Sequence, residues 1–500
     1  MSRLPTFALA LILSVQVAPV LAETAPRRDE FFWLGEMNKA TAVINADEGL
    51  LDQAMVPRIA GGIAKVLVDG SRPGAKRPSS VITFEPLLIA AAGPEVTLLH
   101  AGRSSQDMHA TYRAAMLRDD LLHLAEQLNR TSASMVRLAA QHRATIVPNY
   151  TNGVAAQPNS FGHYLLGHAA GLERDAQRIR ETYGRIDRCA MGTTVLNGTS
   201  WPLNRPRMAS YLGFTSIVDN AYDAAQISST EEPVEVGSVV TSIALHAGSF
   251  IEDVMTQYAQ PRPWILLQEG GGNTYVSSAM PQKSNPGLLN ATRRDASTAV
   301  SLAMGTIIQA HNITPGMGDA KEVSASSAMV NSAITLLKGW DKILNALVVD
   351  PQRSLEELNS DWTASQELAD VLMRKYKLPF RLGHHFASEL VDFAKEHQIK
   401  PLDFPYDQAQ RIYRDAVKDV GGGELPMSEQ EFRSTLDPVA IVNNRATSGG
   451  PQPVEMDRML KGAQQSLSQQ DAWITERRAR IDAALVRLDN DFEQLLHAAR

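Results

Sequence analysis

Apolar residues recur at three- and four-residue spacing along five long stretches: Met116 to Ile146, Phe161 to Tyr183, Val234 to Tyr258, Leu288 to His311 and Ser324 to Val349. That period follows one face of an α-helix, so the pattern predicts five long amphipathic helices. The same period continues outside them, from Trp33 to Val68, Ala364 to His397 and Arg458 to Ala499. Between the helices lie segments rich in Gly, Pro and Asn: Val147 to Ser160, Met191 to Pro206, and Glu269 to Asn290 with its run Gly270-Gly271-Gly272. Gly and Pro interrupt helices, so these read as loops at the ends of a bundle, where polar chemistry gathers on rigid supports. A Gly/Pro-rich piece from Gly421 to Pro453 parts the last two helical stretches. The expected architecture is mainly α, with an N-terminal domain over 23–112, a central helical bundle over 113–360 and a C-terminal helical domain over 361–500.

Composition narrows the class. The 500 residues are 44% hydrophobic and 21% charged, as in a soluble globular chain, and the formal net charge of −7 without a Lys/Arg block argues against nucleic acid as a partner. A basic start at Arg3, an apolar run from Phe7 to Val20 and the small-residue end at Ala22 predict a secretory signal over residues 1–22, removed to leave a periplasmic or secreted chain with no membrane attachment. Cys189 is the only cysteine, so no intramolecular disulfide is available, and its expected role is packing.

Three loop segments hold residue types suited to a carboxylate. In "HAGRSSQDMHAT", Gly102 permits a tight approach while Arg103, Ser104, Gln106 and Asp107 supply donors and charge. In "NYTNGVAAQP", Thr151 and Asn152 stand at a turn before Gly153, with Gln157 beyond. In "EGGGNTYVSSAMPQKSNPGLLN", Lys283 is a fixed positive charge and Ser277, Ser278 and Asn285 are hydrogen-bonding groups; Pro281 and Pro286 stiffen one half and the glycines free the other. Such an arm can close a serine over a bound anion. From residue types alone, a solvated Gly-rich surface loop explains it equally well. No metal-ligand spacing or dinucleotide fingerprint stands in a suitable context, so no cofactor is expected.

"SSAMPQKSNP" resembles the signature of the fumarase/aspartase superfamily of lyases. "HAGRSSQD", "PNYTNGVAAQPNSFGHYLL", "EMNKA", "ELADVLMRKYKLPFRLGHH" and "LDPVAIVNNRATSGG" are similar, in the same order, to segments of its argininosuccinate lyase branch. The resemblance implies a three-domain, mainly α fold whose five-helix bundle builds a twenty-helix core in a homotetramer, each active site drawing its three segments from three subunits. It also implies β-elimination from a succinyl-type di- or tricarboxylate to give fumarate, without a cofactor. Ser277 would be the base, with Lys283, Asn285 and Thr151 stabilising the aci-carboxylate, an electrostatic task that falls to preorganised donors. Arg103, Ser104, Gln106, Asn152, Gln157, Ser278 and Lys321 would bind substrate.

Several positions depart from that pattern. Val276 precedes the serine pair where the family has Gly. Asn152 and Asn290 replace a His and a Glu that handle the leaving-group proton there, and neither amide titrates. Gln106 stands for Asn, and "HNITPGMGDAKE" keeps Asp319, Lys321 and Glu322 but lacks the family's Tyr and Gln, which argues against argininosuccinate itself as substrate. His109 is either a substitute proton donor or a helix histidine, the latter favoured. Two alternatives to elimination stand beside it: cycloisomerisation of a carboxymuconate-like acid, and a non-catalytic carboxylate-binding relative.

Overall fold

The computed structural model describes residues 28–420 and 423–497. The expected signal segment, residues 1–22, lies outside them. The helices are α1 (Glu30–Asp47), α2 (Val56–Gly70), α3 (Val81–Ala92), α4 (Ser105–Gln141), α5 (Phe161–Ile186), α6 (Arg205–Tyr211), α7 (Ser228–Tyr258), α8 (Gly287–Ala310), α9 (Val323–Ala346), α10 (Pro351–Ser360), α11 (Ser365–Tyr376), α12 (Phe380–Glu396), α13 (Tyr406–Ala416), α14 (Glu429–Leu436), α15 (Pro438–Asn443) and α16 (Pro453–His497). Strands are short and paired in twos: β1 (Ile146–Thr151) with β2 (Val154–Ser160), β3 (Arg188–Cys189) with β4 (Ser216–Ile217), β5 (Ile265–Leu267) with β8 (Leu347–Val349), and β6 (Tyr275–Val276) with β7 (Ser284–Asn285).

Helices α4, α5, α7, α8 and α9 form the expected bundle, with α4 against α5 and α9, and α8 against α7 and α9. Two helix starts differ most from the periodic pattern, for local reasons. Helix α4 begins at Ser105 rather than Met116 because Ser104 and Asp107 form a capping box, which satisfies orphan N–H groups ahead of the first apolar turn. Helix α7 begins at Ser228, after a π-helical turn over Asp223–Ile227, and runs through Pro233. Val147 to Ser160, expected as a loop, is the β1–β2 ribbon. Its prolines, Pro148 and Pro158, face each other in register, which a two-stranded ribbon tolerates because its outer edges need no further partner. Trp33 to Val68 is two helices, broken at Gly49 with φ +72, and Ala364 to His397 is broken at Lys377, in the left-handed region, and Pro379. The piece from Gly421 to Pro453 contains α14 and α15.

Two large apolar cores result. One joins α1 to α3, the bundle and α16; the other, around Leu368, Phe386, Phe404 and Phe432, is confined to residues 362–436. Helix α16, placed by sequence with the C-terminal domain, packs on α1, α2, α4, α5 and α6. A buried ionic cluster fixes it there. Arg118 of α4 donates to Asp187 Oδ1 at 2.9 Å and to the carbonyls of Gly213 and Leu212, while Thr215 and Arg480 of α16 donate to Asp187 Oδ2. Cys189 is fully buried, and its thiol is pushed up to about 11 by that burial.

Candidate active site

The first segment forms the start of α4. Ser104 is its N-cap, its Oγ accepting from the Gln106 amide at 3.4 Å. Asp107 accepts from Ser104 N at 2.7 Å through one oxygen and from the Gly192 and Thr193 amides at 2.9 and 3.1 Å through the other. Burial pushes its carboxyl up to about 6 despite those amides. Asp107 therefore ties the loop after β3 to the segment. Arg103, expected to bind substrate, turns inward instead: its guanidinium donates to Asn38 Oδ1 at 2.8 Å and Thr41 Oγ1 at 3.2 Å of α1, and burial lowers it to about 10. Residue type alone identified a donor beside Gly102; the direction it faces is set by α1.

Gln106 meets two residues distant in sequence. Its Oε1 accepts from Gln226 Nε2 at 2.9 Å, and Gln226 Oε1 accepts from the Gly316 amide at 2.7 Å. Gln226 sits in the π-helical turn before α7, an irregularity frequent at functional sites, yet a single Gln among apolar residues gave no sequence signal. Lys321, in a short 3₁₀ turn, is 5% exposed and donates to the Ala225 carbonyl at 3.3 Å. Gln106, Gln226 and Lys321 thus share one end of the bundle, beside a cleft of about 540 Å³. His109 is not a free donor: its Nε2 accepts from the Val81 amide, and burial with the neighbouring Arg113 holds it down to about 4.

The second and third segments lie at the other end. Between β1 and β2, Asn152 and Gly153 have φ of +54 and +76, the pair of left-handed residues that a two-residue hairpin turn requires. Asn is one of the few side chains that tolerates this conformation, so the turn gives Asn152 a conformational reason. Thr151 and Asn152 are exposed at the tip. Trp264 Nε1 donates to the Tyr150 hydroxyl at 2.9 Å, and that hydroxyl donates to Glu357, which anchors the ribbon below the tip. Gln157 bonds Gln366 of α11 at 2.7 Å, away from the turn.

In the serine loop, Gly270, Gly271 and Gly272 have φ of +80, +60 and +84, a run that L side chains rarely adopt. The β6–β7 ribbon pairs Tyr275 with Asn285 and Val276 with Ser284, so Val276 is a strand residue, where a β-branched side chain fits. The Ser277 amide donates to the Lys283 carbonyl at 3.0 Å, and Ser277 Oγ faces the amides of Ala279 and Met280 at 3.4 and 3.3 Å. Asn285 Nδ2 donates to the Tyr275 carbonyl. Ser278 and Lys283 are exposed, and Asn290 lies half-buried in the first turn of α8.

Two spans measure the separation. Helix α4, with Gln106 in its first turn and the hairpin beyond its end, has 37 residues, about 55 Å at 1.5 Å per residue. Helix α7, starting beside Gln226, runs 31 residues, about 46 Å, before the serine loop. One chain therefore cannot bring Gln106 and Ser277 to the same small molecule. Among the described residues, no group of three or more His, Cys, Asp or Glu is placed to hold a metal ion.

A family model described as lyase matches residues 88–301, and one described as argininosuccinate lyase C-terminal matches residues 362–443. The argininosuccinate lyase of Methanothrix thermoacetophila is 26% identical over 470 residues, covering 92% of this chain and 93% of its own. Argininosuccinate lyase 1 of Shouchella clausii is 25% identical over 468 residues, with 91% and 92% covered. Among solved structures, EDDS lyase in complex with formate superposes with a TM-score of 0.83 at 24% identity, over 94% of this chain and 92% of that one. The 3-carboxy-cis,cis-muconate lactonizing enzyme from Pseudomonas putida reaches 0.62 at 18% identity, over 87% and 94%.

Proposed function

The chain belongs to the fumarase/aspartase superfamily, a carbon–nitrogen lyase of its argininosuccinate lyase-like branch, and we propose that it is an exported enzyme that eliminates an alkylamine from an N-substituted aspartate to give fumarate. The observation that carries the reading is the setting of Ser277. A serine hydroxyl is a poor base, but an alkoxide developing on Oγ faces two backbone N–H groups, those of Ala279 and Met280, fixed in position before reaction.

In this reading Ser277 takes the proton from the carbon next to one carboxylate, and the C–H electron pair moves into that carboxylate as the aci form. Lys283, Asn285 and Thr151 hold the added charge. The pair then forms the double bond while the C–N pair departs on nitrogen. A secondary alkylammonium resembles a lysine side chain, with a pKa near about 10, so it arrives protonated and leaves as a neutral amine. No acid is needed, which suits the neutral Asn152 and Asn290.

The separation of Gln106 from Ser277 supports active sites shared between chains of a homotetramer. Helix α8 supports it too: Ser297, Thr298, Ser301, Leu302, Met304 and Ile308 are exposed, a face of small and apolar residues of the kind that packs against further helices. Purified protein offered N-substituted aspartates should release fumarate, read by its ultraviolet absorbance, and Ser277→Ala should abolish release with the fold retained. No fumarate from any such compound, or turnover persisting in the variant, overturns the reading. Export is checked by the first residue of the mature protein recovered from a secreting host, expected to follow Ala22.

A further inference from the structure

Helices α4, α5 and α16 do not close completely on one another: a cavity of about 320 Å³ lies between them. Small residues leave the gap. Ala169 and Ala176 of α5 line it together with Gly462 and Ala463 of α16, and a Cβ added at Gly462 would meet nothing within 4 Å. Leu128, Val136, Leu166 and Met459 give it apolar walls. Among these stands Gln470 of α16, 3% exposed, with neither Nε2 nor Oε1 bonded among the described residues. Burial takes the hydrogen bonds of bulk water from that amide, and folded proteins seldom leave both atoms of such a group without a partner. The neighbouring Asn129 donates elsewhere, to the Leu467 carbonyl at 3.4 Å. Of the charged residues around the cavity, Arg458 is held by Glu455 at 2.7 Å and Glu173 is itself an acid, so an entering anion meets no free cation there. The cavity is also remote from the first site segment, since Leu128 stands about 33 Å beyond Gln106 along α4.

We propose that this cavity is a second binding site, separate from the elimination centre, for a small neutral molecule that joins an apolar ring system to an amide. The Gln470 side chain presents an acceptor and a donor side by side, so its complement is a group carrying a donor and an acceptor at the same spacing. A carboxamide or a lactam has that edge. A carboxylate brings two acceptors and a charge, which is costly to bury without a cation. A ketone satisfies Nε2 and leaves Oε1 without a donor. An engineered apolar cavity of about 150 Å³ holds benzene, so roughly twice that volume accepts a two-ring ligand. The site stands independently of the elimination reading.

Titration calorimetry on the intact purified protein compares naphthamide, a carboxamide, and carbostyril, a lactam of the same size, with naphthoate and acetonaphthone, which keep the two rings and change only the polar edge. Both amides are expected to bind at least tenfold more tightly than naphthoate and acetonaphthone and to raise Tm, because a ligand that binds only the folded chain stabilises it. The tighter of the two tells an open carboxamide from a lactam as the form the site selects. Gln470→Leu should bring the ratio of naphthamide to acetonaphthone affinity to near one. It should also leave the Tm of the unliganded protein at or above that of wild type, since it removes an unpartnered buried amide, whereas a glutamine with a purely structural role would lower Tm on replacement. Naphthamide binding should persist in saturating fumarate and in Ser277→Ala. Naphthamide no tighter than acetonaphthone, a ratio unmoved in Gln470→Leu, displacement by fumarate, or no binding of any of the four compounds overturns the inference, the last result meaning that water satisfies Gln470.

Discussion

Co-expression of two inactive variants tests whether one catalytic centre draws on several chains. The pair is Gln106→Ala and Ser277→Ala, carried on differently tagged copies and purified through both tags. Within one chain the two positions stand at opposite ends of the bundle, separated by the roughly 46 Å of α7, several times the length of an aspartate derivative. If each centre takes Gln106 from one protomer and Ser277 from another, each requirement is met by about half of the randomly assorted chains, so about a quarter of the centres are intact. The mixed assembly should therefore recover about a quarter of wild-type kcat with KM unchanged, because the intact centres are wild type in every residue. Each variant alone should be inactive. Activity of the doubly tagged species no higher than that of the separate variants would refute the shared centre, and with it the geometric reasoning from helix length.

Asp187→Ala should destabilise the protein by about 3–5 kcal/mol in chemical denaturation, because Arg118, fully buried, loses its charge partner; Arg118→Met with Asp187→Leu should regain part of that loss. Burial raises the carboxyls of Asp107 and Glu232 to about 6 and about 8, so each contributes stability in full below the ordinary carboxylate value and loses it as pH rises through the raised one. Thermal stability is accordingly expected to fall between about pH 4 and pH 8 and to level off above that, and Glu232→Gln should remove about 3–5 kcal/mol of the fall; an unchanged profile counts against a protonated Glu232. Gly271→Ala meets no neighbouring atom closer than 3.8 Å, so its effect is conformational: a left-handed alanine costs about 1–2 kcal/mol, and kcat should drop several-fold with little change in Tm.

The long helices were legible where burial is one-sided and apolar residues mark it, as along α5 and α8. Boundaries escaped where local hydrogen bonding rather than burial starts the helix. Ser104 and Asp107 begin α4 through polar side chains, and the polar run from Ser228 to Glu232 hides the first turns of α7. The β1–β2 ribbon was missed because Pro148 and Pro158 read as breakers until their register is known. At the site, contiguous segments such as Ser277 to Asn285 could be found because their geometry is local. Gln226 could not, since what matters about it is which distant residues it faces. Arg103 shows the converse: the donor was visible, but Asn38 and Thr41, which claim it, lie more than sixty positions earlier in the chain.

The packing of α16 bears on how the chain acquires its structure. Arg480 reaches Asp187, and Ile481, Leu485 and Leu488 are buried in the main core with residues from α1 onward. Emerging in order from the ribosome, the first four hundred and fifty or so residues therefore lack the helix that covers α1, α2 and α4, and the contacts that complete the core are the most distant in sequence. Vectorial synthesis leaves the N-terminal half incompletely closed until the final turns are made. A nascent chain in that condition is open to a holding chaperone, while a ribosome that stops short of Arg480 yields a product in which part of the apolar face that α16 covers on α1, α2 and α4 stays bare.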